Sequence, residues 1–326
     1  MAPRWRGEPG FFEIWFVVVF ERAAARAWWF RWTTFAPRAG RARGTIWAAA
    51  FETGRPARWG KRFVAVDEVR TAVGHLARGV CAGDVDTDGG ALDWELEMRG
   101  GAGITRGPRW LDRLPTPTRV AHVRGEASVG GTVRLGGGPV ARVDGVGALK
   151  HIWGTRRVEE LYWLYCPLLD DGGAIEATGV RVRRGRGPAV TPVWLRTNGG
   201  ETRWWTMPGL FRHRVTPDGL GRLRVSAMSA TSRLDAVATC DPATLAGYVY
   251  RDPSGFDVHV AQSDVASCEV ELRTRRHRLA AWDAPRRLGG ARAAVEFHHP
   301  EPLPGVRYVA WDATTTGEVQ PCMRAT

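Results

Sequence analysis

Apolar residues in this chain fall into short dense runs and alternating stretches, not at helical spacing. FFEIWFVVVF (11–20) and AWWFRWTTF (27–35) are two such runs, separated by the polar and Ala-rich link 21–26. Phe, Ile, Val and Trp suit a pleated sheet, and two β-prone runs around a short link predict a hairpin. Each run is far shorter than the ~20 residues that span a bilayer. Arg4, Arg6 and Ala23-Ala24-Ala25 imitate a secretory leader, but Glu13 interrupts the apolar run, so the hairpin is preferred.

Further along, GTIWAAAFE (44–52) and GKRFVAV (60–66) predict strands, and DEVRTAVGHLARGV (67–80) a short helix weakened by Gly74. GDVDTDGG (83–90) reads as a polar turn. In ALDWELEM (91–98), Leu92, Trp94, Leu96 and Met98 alternate with acidic residues, the period of a half-buried strand. PTPT (115–118) reads as an extended linker or strand edge, and HVRGEASVGGTVRL (122–135) as two strands joined by a Gly-Gly turn. YVYRDPSGFDVHV predicts a hairpin turning at Asp252-Pro253-Ser254-Gly255. Strand-length segments recur to the end of the chain, so the expected class is all-β with few short helices. A boundary at GRGP (185–188) divides it into 1–186 and 187–326.

Composition changes this picture little. The formal charge of +12 invites a nucleic-acid reading. However, Lys61 and Lys150 are the only lysines among 46 basic residues, an arginine bias that a GC-rich coding sequence would produce. The basic runs RVRRGRG (181–187) and RTRRHR (273–278) lack interleaved aromatics and read as solvated strand ends, so no nucleic-acid partner is expected. Five dispersed cysteines without a C-x-x-C pair favour reduced thiols, a cytoplasmic setting and no structural metal. P-loop, dinucleotide-binding, nucleophile-elbow and H-E-x-x-H motifs are absent from the sequence, so no cofactor is expected.

FFEIWFVVVF with WWFRWTTFAP and TIWAAAFE, then GALDWELEM, KHIWGTRRVEELYWLYC, YVYRDPSGFDVHVAQSDVASCEVEL and AAVEFHHPE form an ordered set. The set resembles the lipocalin-like family of carotenoid 1,2-hydratases, tocopherol-cyclase-like proteins and fungal Diels–Alderases. The resemblance implies two packed lipocalin-like antiparallel β-barrels holding a hydrophobic substrate in or between them. Members hydrate alkenes or close rings, so it does not fix one reaction. Relatives often carry a His and an Asn around the Cys of YWLYCPL. Here Tyr165 and Pro167 flank Cys166.

Sixteen tryptophans offer apolar contact area and faces that stabilise developing positive charge. Trp15, Trp29, Trp47, Trp94, Trp153 and Trp163 are the candidate substrate-binding rings. Glu13 is flanked by apolar residues on both strand faces. Buried alone it would be held protonated as a general acid, whereas pairing with Arg31 would keep it ionised. An even register sum across the hairpin would place Glu13 and Arg31 on one face, an odd sum on opposite faces. His151 and Trp153, and Trp163 and Tyr165, are same-face pairs expected to converge on a lumen. Asp170, Asp171 and Glu176 surround a Gly-Gly turn and read as solvated, and His298-His299 as an accidental adjacency. The expected function is a cofactor-free cyclase, of pericyclase type, acting on a hydrophobic polyene or polyketide-derived molecule through Glu13, His151, Tyr165 and Arg31. A hydratase or protonation-initiated isoprenoid cyclase, and a non-catalytic lipophile carrier, are the alternatives. No stable membrane insertion is expected.

Overall fold

The computed structural model describes residues 2–101, 103, 116–181, 189–207 and 209–309. Two sheets, antiparallel except for the β16–β19 pair, account for most of them, so the all-β expectation holds. The first sheet contains β1 (Phe11–Glu21), β2 (Arg26–Ala36), β3 (Arg43–Glu52), β4 (Arg58–Val64), β5 (Val80–Thr87), β6 (Gly90–Arg99), β7 (Thr118–Leu135) and β8 (Ala141–Gly154). Its order, β4-β3-β2-β1-β8-β7-β6-β5, brings the two edge strands together into a nearly closed barrel. Gly60 permits the closure, because a Cβ there would lie 1.9 Å from the Asp86 carbonyl oxygen. Arg62 Nε donates to the Asp84 carbonyl across the same seam at 3.0 Å.

Helix α1 (Val66–Ala77) covers the barrel between β3 and β5. Its buried Val69, Val73 and Leu76 follow helical spacing and join Trp15, Phe30, Trp32 and Trp94 in the barrel interior. Gly74 does not break the helix, having open space around it. The turn expected at 83–90 is shorter than its composition suggests, since β5 continues through Thr87. The expected pair of strands at 122–135 is one continuous strand, β7. Gly130 and Gly131 lie within its ladder to β6, and Gly131 approaches the Glu95 carbonyl too closely for any side chain.

The second sheet contains β9 (Glu160–Cys166), β10 (Ala174–Arg181), β11 (Val193–Thr197), β12 (Gly200–Trp204), β13 (Arg214–Pro217), β14 (Arg222–Met228), β15 (Ser232–Thr239), β16 (Ala246–Arg251), β17 (Asp257–Thr274), β18 (Arg286–His299) and β19 (Tyr308–Val309). Its path is β12-β11-β10-β9-β18-β17-β15-β14-β13, with β16 joining β17 and β19. It curls so that β13 returns beside β10, where Gly179 leaves room for Val215. The chain changes sheets across 155–159, so the division expected at 186/187 falls inside the second sheet. Of RVRRGRG, only Arg181 lies among the described residues, as does only the latter part of PTPT, 116–118. RTRRHR closes β17 and enters an open turn, with Thr274, Arg276, His277 and Arg278 exposed.

Strand alternation gives β1 two different jobs. Trp15, Val17 and Val19 face the first barrel's interior. Phe12, Ile14, Phe16, Val18 and Phe20 face the second sheet and share its apolar core. Burying a ring such as Phe12 contributes about 1.5–3 kcal/mol, so this layer binds the two sheets firmly. Among the described residues, no helix is long and apolar enough to cross a membrane.

Candidate active site

The hairpin register decides where the expected site residues go. Glu13 pairs with Thr34 and Phe16 with Arg31, a register sum of 47. The odd sum puts Glu13 and Arg31 on opposite faces, so Arg31 is not the partner of Glu13. That partner is His151, brought alongside because β1 also pairs with β8. His151 Nε2 lies 2.6 Å from Glu13 Oε1. Glu13 also accepts the backbone N–H groups of Arg4 at 2.7 Å and Trp5 at 3.1 Å. Burial alone would raise its pKa, but these hydrogen bonds outweigh it and hold the carboxyl below its ordinary range. Burial lowers the His151 pKa in spite of Glu13. The pair is therefore a carboxylate and a neutral imidazole, and Glu13 is not the protonated acid that solitary burial would have produced. Trp15 stacks on the His151 ring at 3.8 Å and Trp153 at 4.5 Å, so indoles enclose the imidazole. Trp94 belongs to the interior of the same barrel.

Arg31, Trp29, Trp47, Trp163 and Tyr165 occupy a different place, the layer between the sheets. Trp163 and Tyr165 stack with centroids 5.8 Å apart, as their shared strand face predicts. They do not converge with His151, which lies on the far side of β8. Its neighbour Lys150 points into the inter-sheet layer instead and ion-pairs with Glu176. Trp163 Nε1 donates to the same Glu176 Oε1 at 2.9 Å, and His122 Nε2 lies 3.2 Å from it. Glu176 is thus buried, not solvated: it stands on β10 beside Tyr165 of β9 rather than in the preceding turn. Asp171 accepts from Gly173 and Asn198 and ion-pairs with Arg286, while Asp170 remains exposed.

The Lys150 ammonium sits 4.0 Å from the Trp163 ring centroid. Tyr165 OH donates to Glu126 at 3.2 Å, and Arg196 bonds the other oxygen of that carboxylate at 3.0 Å. Glu126 is the one non-glycine among the described residues with positive φ, +49°. It lies where β7 shifts register against β8, and the bulge turns its carboxylate toward the second sheet.

Around Arg31 the layer is richer still. Its guanidinium carbon lies 3.8 Å from the Tyr250 ring centroid and 5.7 Å from that of Trp47. Tyr248 stacks on Trp29 at 5.0 Å, and its buried hydroxyl has no hydrogen-bond partner among the described residues. Glu296 lies 2.9 Å from His298, which the sequence had marked only as adjacent to His299. Burial opposes ionisation of Glu296, but His298, Arg31 and Lys150 together hold its pKa below the ordinary carboxylate range. Asp264 is fully buried at an irregularity in β17, and both its oxygens accept from Gln262 Nε2, at 2.9 and 3.1 Å. Burial pushes its pKa up to about 8, so at neutral pH it is a protonated acid.

Of the residues in this layer, sequence reasoning singled out Arg31, Trp29, Trp47, Trp163 and Tyr165, read Glu176 as solvated, and passed over Lys150, His122, Glu126, Glu296, Asp264, Tyr248 and Tyr250. One signal was available: lysine occurs only twice in an arginine-dominated chain, and both copies are buried. A cleft of about 490 Å³ opens at the layer's edge, lined by Phe35, Arg41, Arg43, Arg251, Asp252 and Pro253 among others. Among the described residues, no group of three or more His, Cys, Asp or Glu side chains is placed to hold a metal ion.

A protein of Nitrosomonas europaea provisionally assigned as AttH has a crystal structure similar to this one. Its TM-score is 0.51 with 12% identity, covering 88% of this chain and 92% of that one. The fold is lipocalin-like. Kievitone hydratase from Nectria haematococca aligns with a TM-score of 0.49 and 8% identity, over 88% of this chain and 89% of its own, a likeness too slight to carry an argument. No family model and no curated protein matches the chain.

Proposed function

We propose that this protein is a cofactor-independent cyclase of hydrophobic polyene or polyketide-derived molecules, working between its two sheets. The observation that carries this reading is Asp264, a fully buried carboxyl kept protonated to about pH 8 beside an aromatic layer. A general acid must hold its proton at working pH and deliver it where water does not compete. Asp264 would donate to a substrate carbonyl or alkene. The faces of Trp29, Trp47 and Tyr248 would support the positive charge that develops, and the Glu296 carboxylate lies in the same layer to compensate it. Ring closure then follows from the fold imposed on the chain by the surrounding aromatics, and the cyclised cation returns a proton to the Asp264 carboxylate, so the product keeps the substrate's mass.

Within this reading Arg31 and Tyr165 remain site residues, and the cleft beside Asp252 is the way in. Glu13 and His151, enclosed on the opposite face of β8, brace the wall behind the site.

The test is incubation of the purified protein with polyene and polyketide-derived candidates, followed by mass spectrometry and chromatography. Cyclisation gives a product of unchanged mass and new retention, hydration adds one water, and a carrier returns its ligand intact. Asp264→Asn should slow conversion at least tenfold, on the order of 1.4 kcal/mol in barrier. Unchanged turnover in that variant removes Asp264 from the reaction.

A further inference from the structure

Two guanidinium groups lie in the inter-sheet layer, and neither has a carboxylate within ion-pair distance among the described residues, although Glu296 feels the charge of Arg31 and Asp252 that of Arg157. Arg31 is 2% exposed, and its Nε donates to Thr33 Oγ1 at 3.0 Å. Arg157 is 6% exposed, and its Nε donates to the Arg251 carbonyl at 2.9 Å. Arg157 Nη2 is buried with no hydrogen-bond partner among the described residues. Both groups reach one ring, with Cζ atoms 3.8 Å (Arg31) and 5.3 Å (Arg157) from the Tyr250 centroid.

The nearby acids are engaged elsewhere. Asp252 accepts the backbone N–H of Arg157 at 2.5 Å and both the backbone N–H and the hydroxyl of Ser254, and Glu296 lies against His298. Among the described residues, neither guanidinium comes within ion-pair distance of an Asp or Glu side chain. Buried charge without a close counter-ion is costly, and two like charges at one ring compound the cost. Burial first, and Arg31 second, lower the Arg157 pKa to about 9 against the smaller opposing pull of Tyr250 and Asp252, which leaves it charged at neutral pH. An arginine pair of this kind is suited to a planar oxyanion, which a guanidinium grips through parallel N–H donors.

From the two guanidinium groups that share the Tyr250 ring without an ion-pair partner among the described residues, we infer that the site takes an amphipathic substrate whose carboxylate is held by Arg31 and Arg157. The inference rests on the inter-sheet reading above and narrows it: a neutral hydrocarbon or simple isoprenoid lacks the group these residues await. The carboxylate would approach through the cleft, where Asp252 links the lining to Arg157. Phe12, whose ring lies 4.4 Å from the Arg157 guanidinium carbon, and the Trp29–Tyr248 stack would receive the apolar body. Tyr248 OH, without a hydrogen-bond partner among the described residues, supplies a further donor in the same layer.

The experiment compares binding of cis-parinaric acid, a fluorescent polyene carboxylic acid, with that of its methyl ester. Energy transfer from tryptophan reports occupancy of the interior. The wild type should bind the acid at least tenfold more tightly than the ester. Arg157→Met and Arg31→Met should each bring the ratio close to one. If a Met variant fails to fold, the acid should still raise the wild-type melting temperature more than the ester at equal concentration. Equal affinity for the two probes, or a preference surviving both Met substitutions, overturns the carboxylate subsite while leaving an apolar inter-sheet site standing. Binding of neither probe overturns both readings.

Discussion

Glu13 and His151, 138 residues apart in the chain, form a 2.6 Å carboxylate–imidazole contact enclosed by the indoles of Trp15 and Trp153. Through Arg4 and Trp5 the carboxylate also fastens the segment preceding β1. Glu13→Gln keeps the shape but places an NH₂ donor where only acceptors fit. It should destabilise the fold by about 1–3 kcal/mol, measurable by urea denaturation, with earlier proteolysis ahead of Phe11. An undiminished midpoint would exclude this anchoring role.

The pair also fixes a pH response. Both groups have folded-state pKa values below their ordinary values, 6.5 for His151 and 4.5 for Glu13. The unfolded chain therefore takes up protons first, and stability falls with acidification. The His151 contribution begins to fail below pH 6.5 and the Glu13 contribution below pH 4.5. Melting temperatures measured from pH 8 to pH 4 should decline in that order, and Glu13→Gln should remove the lower step. A profile with no decline contradicts the assignment.

Asp264 acts in the opposite sense. Its pKa rises from 3.8 to about 8 on folding, so its stability contribution is full below pH 3.8 and is lost progressively up to about pH 8. Asp264→Asn should raise the melting temperature at pH 8 more than at pH 5, while impairing turnover. Equal shifts at the two pH values would show that the group does not titrate as described.

Lys150 and Glu176 form a buried ion pair that also ties the sheets together. Removing one member leaves the other charge uncompensated, so Lys150→Met should cost about 3–5 kcal/mol. Lys150→Met with Glu176→Gln should cost less than the sum of the single changes. Strict additivity in chemical denaturation would mean that the two residues do not interact.

The barrel seam gives a purely steric prediction. At Gly60 a Cβ would meet the Asp86 carbonyl oxygen at 1.9 Å, so Gly60→Val must separate β4 from β5. Faster amide exchange confined at first to those strands is the expected signature, and wild-type protection there would refute it.

The strands were legible because their residues carry the signal locally. Phe11 to Phe35 reads as a hairpin from β-propensity, and Leu92, Trp94, Leu96 and Met98 are buried as their alternation demands. Turns were less legible where glycine served packing: Gly131 lies inside β7 because it must pass Glu95, not because the chain reverses. The site was half legible. Glu13, His151, Arg31 and Tyr165 stood out as polar groups in apolar runs, but their partnerships depended on a one-residue register that no local feature specifies. Glu176 was hidden by the acidic turn before it, and Asp264 by a strand irregularity. Both owe their burial to strands from elsewhere in the chain, although Asp264 takes its hydrogen bonds from Gln262 on its own strand.

The enclosure of Lys61 and Lys150, the chain's only lysines, reaches beyond the site. A folded molecule presents no side-chain primary amine to acylating dyes or cross-linkers, so such reagents are directed to the amino terminus. A lysine-specific protease likewise finds no accessible bond, and its rate of cutting follows the population of opened molecules. The two ammonium groups thus make the protein its own reporter of how often its sheets part.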